Sequence, residues 1–95
     1  MKTGIELIAI ERQEQIEKHG RTIHYDIENN TDSQLQLGAE ALLDNDFDKF
    51  PALWDDAICY KMLEKSLKER LIIAGALIAA EIDRLQATST EIKSE

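Results

Sequence analysis

The stretch "RLIIAGALIAAEIDRL", residues 70–85, decides the fold that this sequence predicts. Apolar residues recur in it at the three- and four-residue spacing of a helix face. One stripe of this helix consists of Leu71, Ala74, Gly75, Ile78, Ile82 and Leu85. Ile72, Ile73 and Leu77 lie off that stripe, so residues 71–80 are apolar on nearly every side. Such a helix needs neighbours all round.

A chain of 95 residues makes one domain, in which a single layer of other helices can hardly surround this segment. Its small residues also permit close backbone approach. We therefore predict a homo-oligomer that forms through the last helix, with an interface at Ile73, Ala76, Leu77 and Ala80. The alternative is a central core helix in a monomer, and the sequence leaves it open.

Capping patterns indicate where the other helices begin. A Ser or Thr followed three residues later by Glu or Gln forms a capping box. Three pairs match this pattern: Thr3 with Glu6, Ser33 with Gln36 and Ser66 with Glu69. Pro51 also suits a first helical turn. The predicted helices cover residues 4–19, 34–44, 51–64 and 66–87.

The rest of the chain shows no hairpin signal and no linker. Residues 20–33 are expected to form a polar loop, with a weak extended possibility at 22–27. The prediction is an all-α protein: a single helical domain of about four helices over residues 1–87, followed by a polar tail at 88–95. Cys59 is the only cysteine, and its flanks predict an inert position in a helical core.

Composition limits where the protein acts. The sequence has neither a signal peptide nor an apolar run of 18 residues, so we expect a cytoplasmic protein without a membrane partner. Residues 26–56 account for the whole net charge of −8, because they contain nine carboxylates and only one basic residue, Lys49. An acidic block of this kind repels DNA and RNA and attracts a basic protein.

A cationic cluster follows the first predicted helix, in "EKHGRTIHYD" at residues 17–26. Arg12 lies near the middle of the apolar stripe of that helix, where a charge is unexpected. Either its guanidinium pairs with a carboxylate such as Glu81 or Asp83, or it is held in a pocket for a phosphate. On the second interpretation, the ligand-binding residues are Arg12, Gln15, Lys18, His19, Arg21, His24 and Tyr25.

Three apparent chemical motifs fail on geometry. Asp44, Asp46, Asp48 and Asp55 fall at calcium-loop positions, but Lys49 replaces the turn-making Gly. The carboxylates of "ERQEQIE" occupy a polar helix face, and "HYD" has no Ser or Cys nucleophile beside it. We therefore predict no catalytic residues, no metal site and no cofactor.

Three segments carry a resemblance to a known family. "ELIAIERQEQIEKHG" (6–20), "QLQLGAEALL" (34–43) with "WD" after it, and the stretch 70–85 resemble small proteins of bacteriophages and prophages, notably of gut Bacteroidota. The resemblance spans residues 5–86 and implies a helical fold and a phage accessory context. Many members of that family have Trp where this chain has Arg21.

A weaker similarity points to MazG-like all-α nucleotide pyrophosphohydrolases. These hold magnesium through an E-x-x-E pair on one helix and an E-x-x-D pair on the next. Glu40 with Asp44, and Glu81 with Asp83, do not reproduce that spacing. The resemblance therefore implies a nucleotide-shaped cavity more than it implies hydrolysis.

These observations rank three functions. The first is a non-enzymatic phage anti-defence protein that sequesters a phosphorylated small ligand, a nucleotide signal, through the cationic cluster. The alternative is an acidic inhibitor that mimics nucleic acid through residues 26–56 and binds a basic host protein. The third is a degenerate MazG-like nucleotide pyrophosphohydrolase.

Overall fold

The computed structural model describes residues 1–20, 22–30 and 33–88. This part of the chain contains five α-helices and no strand. In order they are α1 (Gly4–His19), α2 (Ile23–Asn29), α3 (Gln34–Asp44), α4 (Asp56–Leu63) and α5 (Leu67–Thr88), with a 3₁₀ turn at Phe47–Lys49 between α3 and α4. The prediction of an all-α domain is confirmed.

Local chemistry fixes several helix ends where the sequence predicted them. Thr3 Oγ1 accepts from the Glu6 N–H at 3.2 Å, and the Glu6 carboxylate accepts from the Thr3 N–H at 3.0 Å. The hydrogen bond from the Thr3 backbone N–H, together with one from the Thr3 side chain, lowers the pKa of the Glu6 carboxyl. Gly20 ends α1 at φ 64°, in the left-handed region that favours glycine. Ser66 Oγ accepts from the Glu69 N–H at 3.2 Å and starts α5.

Two predicted boundaries are wrong. Residues 23–29 form α2 instead of a loop, because Thr22 Oγ1 accepts from the Tyr25 N–H and caps a short helix. The fourth helix begins at Asp56 instead of Pro51, because Asp55 is its N-cap and accepts from the Ile58 N–H at 3.0 Å. Phe50 is extended, as expected for the residue before a proline.

The capping box predicted at Ser33 and Gln36 does not form. Ser33 adopts the left-handed conformation at φ 65°, and its side chain makes no capping hydrogen bond. The helix α3 nevertheless spans the predicted residues 34–44. Its apolar periodicity, rather than its cap, therefore determines where it forms.

The helix α5 lies at the centre, against α1, α2 and α3. The core joins buried side chains of α3, α4 and α5, among them Leu35, Leu42, Cys59 and Leu77. Arg70 Nη1 donates to the Leu42 carbonyl at 2.9 Å, which ties the end of α3 to α5. Cys59 is 1% exposed, which agrees with the predicted core position.

The predicted oligomer interface needs a correction. Its four residues, Ile73, Ala76, Leu77 and Ala80, are at most 7% exposed within a single chain. The helices packed on α5 already cover these side chains, so they have no surface left for a second copy. These four residues instead belong to a central core helix, which was the alternative that the sequence left open. Exposed apolar residues of α5 lie on its other side, at Leu71, Ile78, Ile82 and Leu85.

Gly38→Ala is expected to destabilise the fold although alanine favours helix. A Cβ at Gly38 would stand 2.5 Å from Trp54 Cη2 and 3.3 Å from Leu77 Cδ1, so the indole would have to move. We expect a loss of about 1–3 kcal/mol in the free energy of unfolding, measured by urea denaturation. Gly4→Ala is the control, since nothing lies within 4 Å of its Cβ. Equal stability of both variants would contradict the close contact.

Candidate functional site: a cleft between α1 and α4

Arg12 lies inside the protein, among α1, α2 and α5. Its side chain is 9% exposed. Its Nη2 atom lies 3.9 Å from Asp26 Oδ2 and 3.8 Å from Asp83 Oδ2. Asp83 is one of the two partners that the ion-pair interpretation named. The other, Glu81, instead binds Arg84 through two hydrogen bonds of 2.7 and 3.0 Å.

Two carboxylates beside Arg12 leave little attraction for an anionic ligand. Asp26 is fully buried and also accepts from Asn30 Nδ2 at 2.8 Å. The ion pairs of Arg12 connect α1 with α2 through Asp26 and with α5 through Asp83. The prediction that Arg12 binds a phosphate is therefore corrected: its charge is compensated within the chain.

Lys18 and His24, two further cations of "EKHGRTIHYD", each pair with a carboxylate of their own helix. Lys18 is exposed and pairs with Glu14 at 3.9 Å. His24 is exposed on α2, with Nε2 2.9 Å from Glu28 Oε1. Arg21 lies outside the described residues. Lys18 and His24 are close in sequence but belong to different helices, because α1 ends at Gly20.

Two of the predicted ligand-binding residues do line a common cleft. Gln15 and His19 are one turn apart on α1, and the cleft beside them, of about 400 Å³, opens towards α4. We call it the α1/α4 cleft. Its lining residues are Glu11, Glu14, Gln15, His19, Ile58, Lys61, Met62, Lys65 and Ile73. Its volume lies within the range of small-molecule pockets.

Gln15 is the most buried polar residue of this cleft. It is 5% exposed, and its Nε2 donates to Glu11 Oε2 at 3.3 Å. Its Oε1 atom is buried and makes no hydrogen bond with the described part of the chain. An unsatisfied buried acceptor is unfavourable, so this atom is ready to accept from a bound donor.

Charge is divided between the walls of the cleft. Residues Glu11 and Glu14 come from α1, whereas Lys61 and Lys65 come from α4 and the turn after it. The two lysines were not predicted as site residues, because charged residues on a short helix are typical of a solvated face. Their spacing carried the signal, since Ile58, Lys61 and Lys65 fall on one side of a helix.

A smaller cleft of about 230 Å³ adjoins the first one at Ile58, a residue that lines both. Tyr25, predicted to bind ligand, lies here with Trp54, Asn30 and Cys59. The tyrosine thus faces a different cavity from Gln15 and His19. The two cavities are neighbours around one isoleucine side chain.

The aspartates of the acidic block have local structural roles. Asp46 Oδ1 accepts from the Asp48 N–H at 3.0 Å in the 3₁₀ turn, and Asp55 caps α4. A hydrogen bond to Asp44 raises the pKa of Lys49. Among the described residues, no group of three or more His, Cys, Asp and Glu side chains is placed to hold a metal ion.

Comparisons with known proteins give no relative for this chain. No family model matches it, and neither a curated protein nor a solved structure is similar at a significant level. Within residues 1–20, 22–30 and 33–88, no helix has both the length and the apolarity needed to cross a bilayer.

Removal of Arg12 is expected to destabilise the protein strongly, because it leaves Asp26 as an uncompensated buried charge. We expect Arg12→Met to lose about 3–5 kcal/mol in the free energy of unfolding. The double variant Arg12→Met with Asp26→Leu should recover a large part of that loss, since it replaces the pair by apolar groups.

Chemical denaturation of the single and double variants measures this coupling. Lys18→Met is the control on the same helix, because its exposed pair with Glu14 should contribute about 1 kcal/mol or less. Additive losses from the Arg12 and Asp26 substitutions would show that the two residues act independently.

Proposed function

We propose that this protein binds a phosphorylated small molecule of the nucleotide class in the α1/α4 cleft, without chemical turnover. Its role would be that of a phage accessory protein that sequesters a nucleotide signal, in keeping with the family resemblance of residues 5–86. The site differs from the predicted one: it keeps Gln15 and His19 and replaces Arg12 by lysines of the opposite wall.

The buried Gln15 amide carries this proposal. Gln15 lines a cleft of about 400 Å³, and its Oε1 atom, which is buried behind that lining, finds no donor within the described part of the chain. A small rotation of the amide would bring Oε1 to the cleft, where a ligand N–H or O–H group satisfies the acceptor and removes its desolvation cost.

The cationic wall supplies a place for a phosphate. Lys61 and Lys65 lie about one helical turn apart, and His19 lines the same cleft from α1. Lysine ammonium groups bind phosphate through charge-assisted hydrogen bonds. Lys65 also lies 3.8 Å from Glu69, an exposed pair that a phosphate readily replaces.

The opposite wall suits the remainder of a nucleotide. The carboxylates of Glu11 and Glu14 accept hydrogen bonds from amino and hydroxyl groups. Nucleobases carry amino groups, and ribose carries hydroxyl groups. Around Ile58 the adjoining cleft offers Tyr25 and Trp54, whose rings can stack a base. A ligand with phosphate at one end and a planar amino-bearing ring at the other matches this arrangement.

The acidic-inhibitor alternative has less support. Asp26 is buried and paired with Arg12, so it adds nothing to a negative surface. Asp46 and Asp55 cap helical turns, and Asp44 binds Lys49. Carboxylates with local partners present a weaker field to a basic protein than the sequence count implies.

Titration calorimetry with linear mononucleotides, cyclic mononucleotides and cyclic dinucleotides tests the proposal. We expect at least one binder whose affinity falls with salt. Lys61→Ala should weaken it about tenfold, because a hydrogen bond to a charged group contributes roughly 1.5 kcal/mol or more. Gln15→Leu should weaken it by a smaller factor, about fivefold, since it removes a neutral hydrogen bond.

His24→Ala is the matched control, because His24 belongs to the predicted cationic cluster but lies on the surface outside the cleft. Its affinity should equal that of the unsubstituted protein. If His24→Ala weakens binding while Lys61→Ala does not, the ligand sits elsewhere. If no nucleotide binds at all, the proposal fails.

Metal-dependent hydrolysis of nucleoside triphosphates is not expected. Glu11 and Glu14 form an E-x-x-E pair in the cleft, but the other charged residues that line it are Lys61 and Lys65, and no second carboxylate pair is among its described lining residues. A divalent cation would therefore meet two ammonium groups. Phosphate or pyrophosphate release with magnesium or manganese should match a blank without protein. Turnover that disappears in both Glu11→Gln and Glu14→Gln would establish an enzyme instead.

A further inference from the structure

The outer face of α5 carries an uncovered apolar stripe. Its members, between 45 and 57% exposed, are Leu67, Leu71, Ile78, Ile82 and Leu85. Their separations of four, seven, four and three residues place them on one narrow side of the helix. Gly75 lies between Leu71 and Ile78 in the sequence but is not part of the stripe, because Ile8 of α1 covers it.

The stripe is continuous with a groove beside the N-terminus of α1. This groove, of about 340 Å³, is lined by Met1, Lys2, Gly4, Leu7, Ile8, Lys68, Leu71 and Ile72. Ile8 packs over Gly75, where an added Cβ would lie 2.5 Å from Ile8 Cδ1. Single exposed apolar residues are ordinary, whereas a continuous apolar surface of this kind marks an interaction site.

We propose that a second copy of this chain covers this surface, with the two α5 helices antiparallel about a two-fold axis at Ile78. Three members of the stripe are complementary to themselves in that arrangement, because Ile78 stands midway between Leu71 and Leu85. Leu71 then meets Leu85 of the partner subunit, and Ile78 meets Ile78 of the partner subunit. A surface that fits itself in this way is the requirement of a two-fold dimer.

Charge favours the antiparallel arrangement over a parallel one. Lys2 and Lys68 lie in the groove at the N-terminal end of the stripe. Antiparallel pairing brings the C-terminal end of the partner's α5 to these lysines, and that end of a helix carries partial negative charge. Parallel pairing would instead place Lys68 beside the same lysine of the second copy.

The stripe alone is smaller than a standard interface. From Leu67 to Leu85 the helix rises about 27 Å, and a strip about 10 Å wide covers roughly 270 Å², against roughly 800 Å² on each partner of a standard interface. The groove beside the N-terminus of α1 is therefore part of the proposed contact. Neither the apolar stripe nor the groove shares a lining residue with the α1/α4 cleft. The dimer proposal and the nucleotide proposal can therefore be tested independently.

Light scattering coupled to size-exclusion chromatography tests the dimer with the full chain. We expect twice the chain mass of 10.8 kDa at micromolar concentration. Ile78→Lys should halve the mass, because two ammonium groups would face each other across the axis. Leu43→Lys is the matched control, since Leu43 of α3 and Ile78 are both 45% exposed. It should remain dimeric.

Cysteine cross-linking tests the orientation with milder substitutions. Oxidised Ile78→Cys should form a covalent dimer across the axis. Leu71→Cys and Leu85→Cys should cross-link to each other when mixed, and neither should cross-link alone. A monomeric unsubstituted protein overturns the proposal. So does a dimer that survives Ile78→Lys, or a covalent dimer of Leu71→Cys alone, which would mean parallel helices.

Discussion

The charge of the buried Arg12, which pairs with the buried Asp26 and the partly exposed Asp83, is the constraint on which the rest of the structure depends. An arginine cannot lose its proton, so a guanidinium on the apolar face of α1 must find carboxylates inside the protein. Asp83 meets it from α5 and Asp26 from α2. A helix of seven residues is marginal alone. The pairing therefore explains why the polar segment after Gly20 folds against α1 and α5.

The same constraint places the cleft. Gln15 and His19 follow Arg12 by three and seven residues, so they share its side of α1. The ion pairs of Arg12 hold that side of α1 against α2 and α5. The next turns of α1, which carry Gln15 and His19, line the cleft that opens towards α4. Gln15 is thus buried without a full set of partners, because its depth is dictated by the arginine one turn earlier.

Sequence patterns predicted the elements better than the site. Caps and periodicity located α1, α3 and α5, because those signals are local. The helix α2 was missed because its apolar residues Ile23, Tyr25 and Ile27 alternate as in a strand, and because a tertiary ion pair holds it. Lys18, His19 and His24 are close in sequence but point to different surroundings once Gly20 turns the chain. Lys61 and Lys65 join His19 only through tertiary packing, which no local pattern encodes.

The periodicity of α5 did not predict which of its faces packs inside the protein. Both of its faces are apolar, so the hydrophobic pattern cannot choose between them. Side-chain size does not choose either, because the covered face holds Ile73 and Leu77 as well as Ala76 and Ala80. The contacts of α5 with α1, α2 and α3 decide which face is covered. Leu71, Ile78, Ile82 and Leu85 remain outside. Within the described residues, α1, α2 and α3 cover one side of this 22-residue helix. A continuous apolar surface on the other side favours an interaction, and the position of Ile78 midway between Leu71 and Leu85 is why we propose a second copy as the partner.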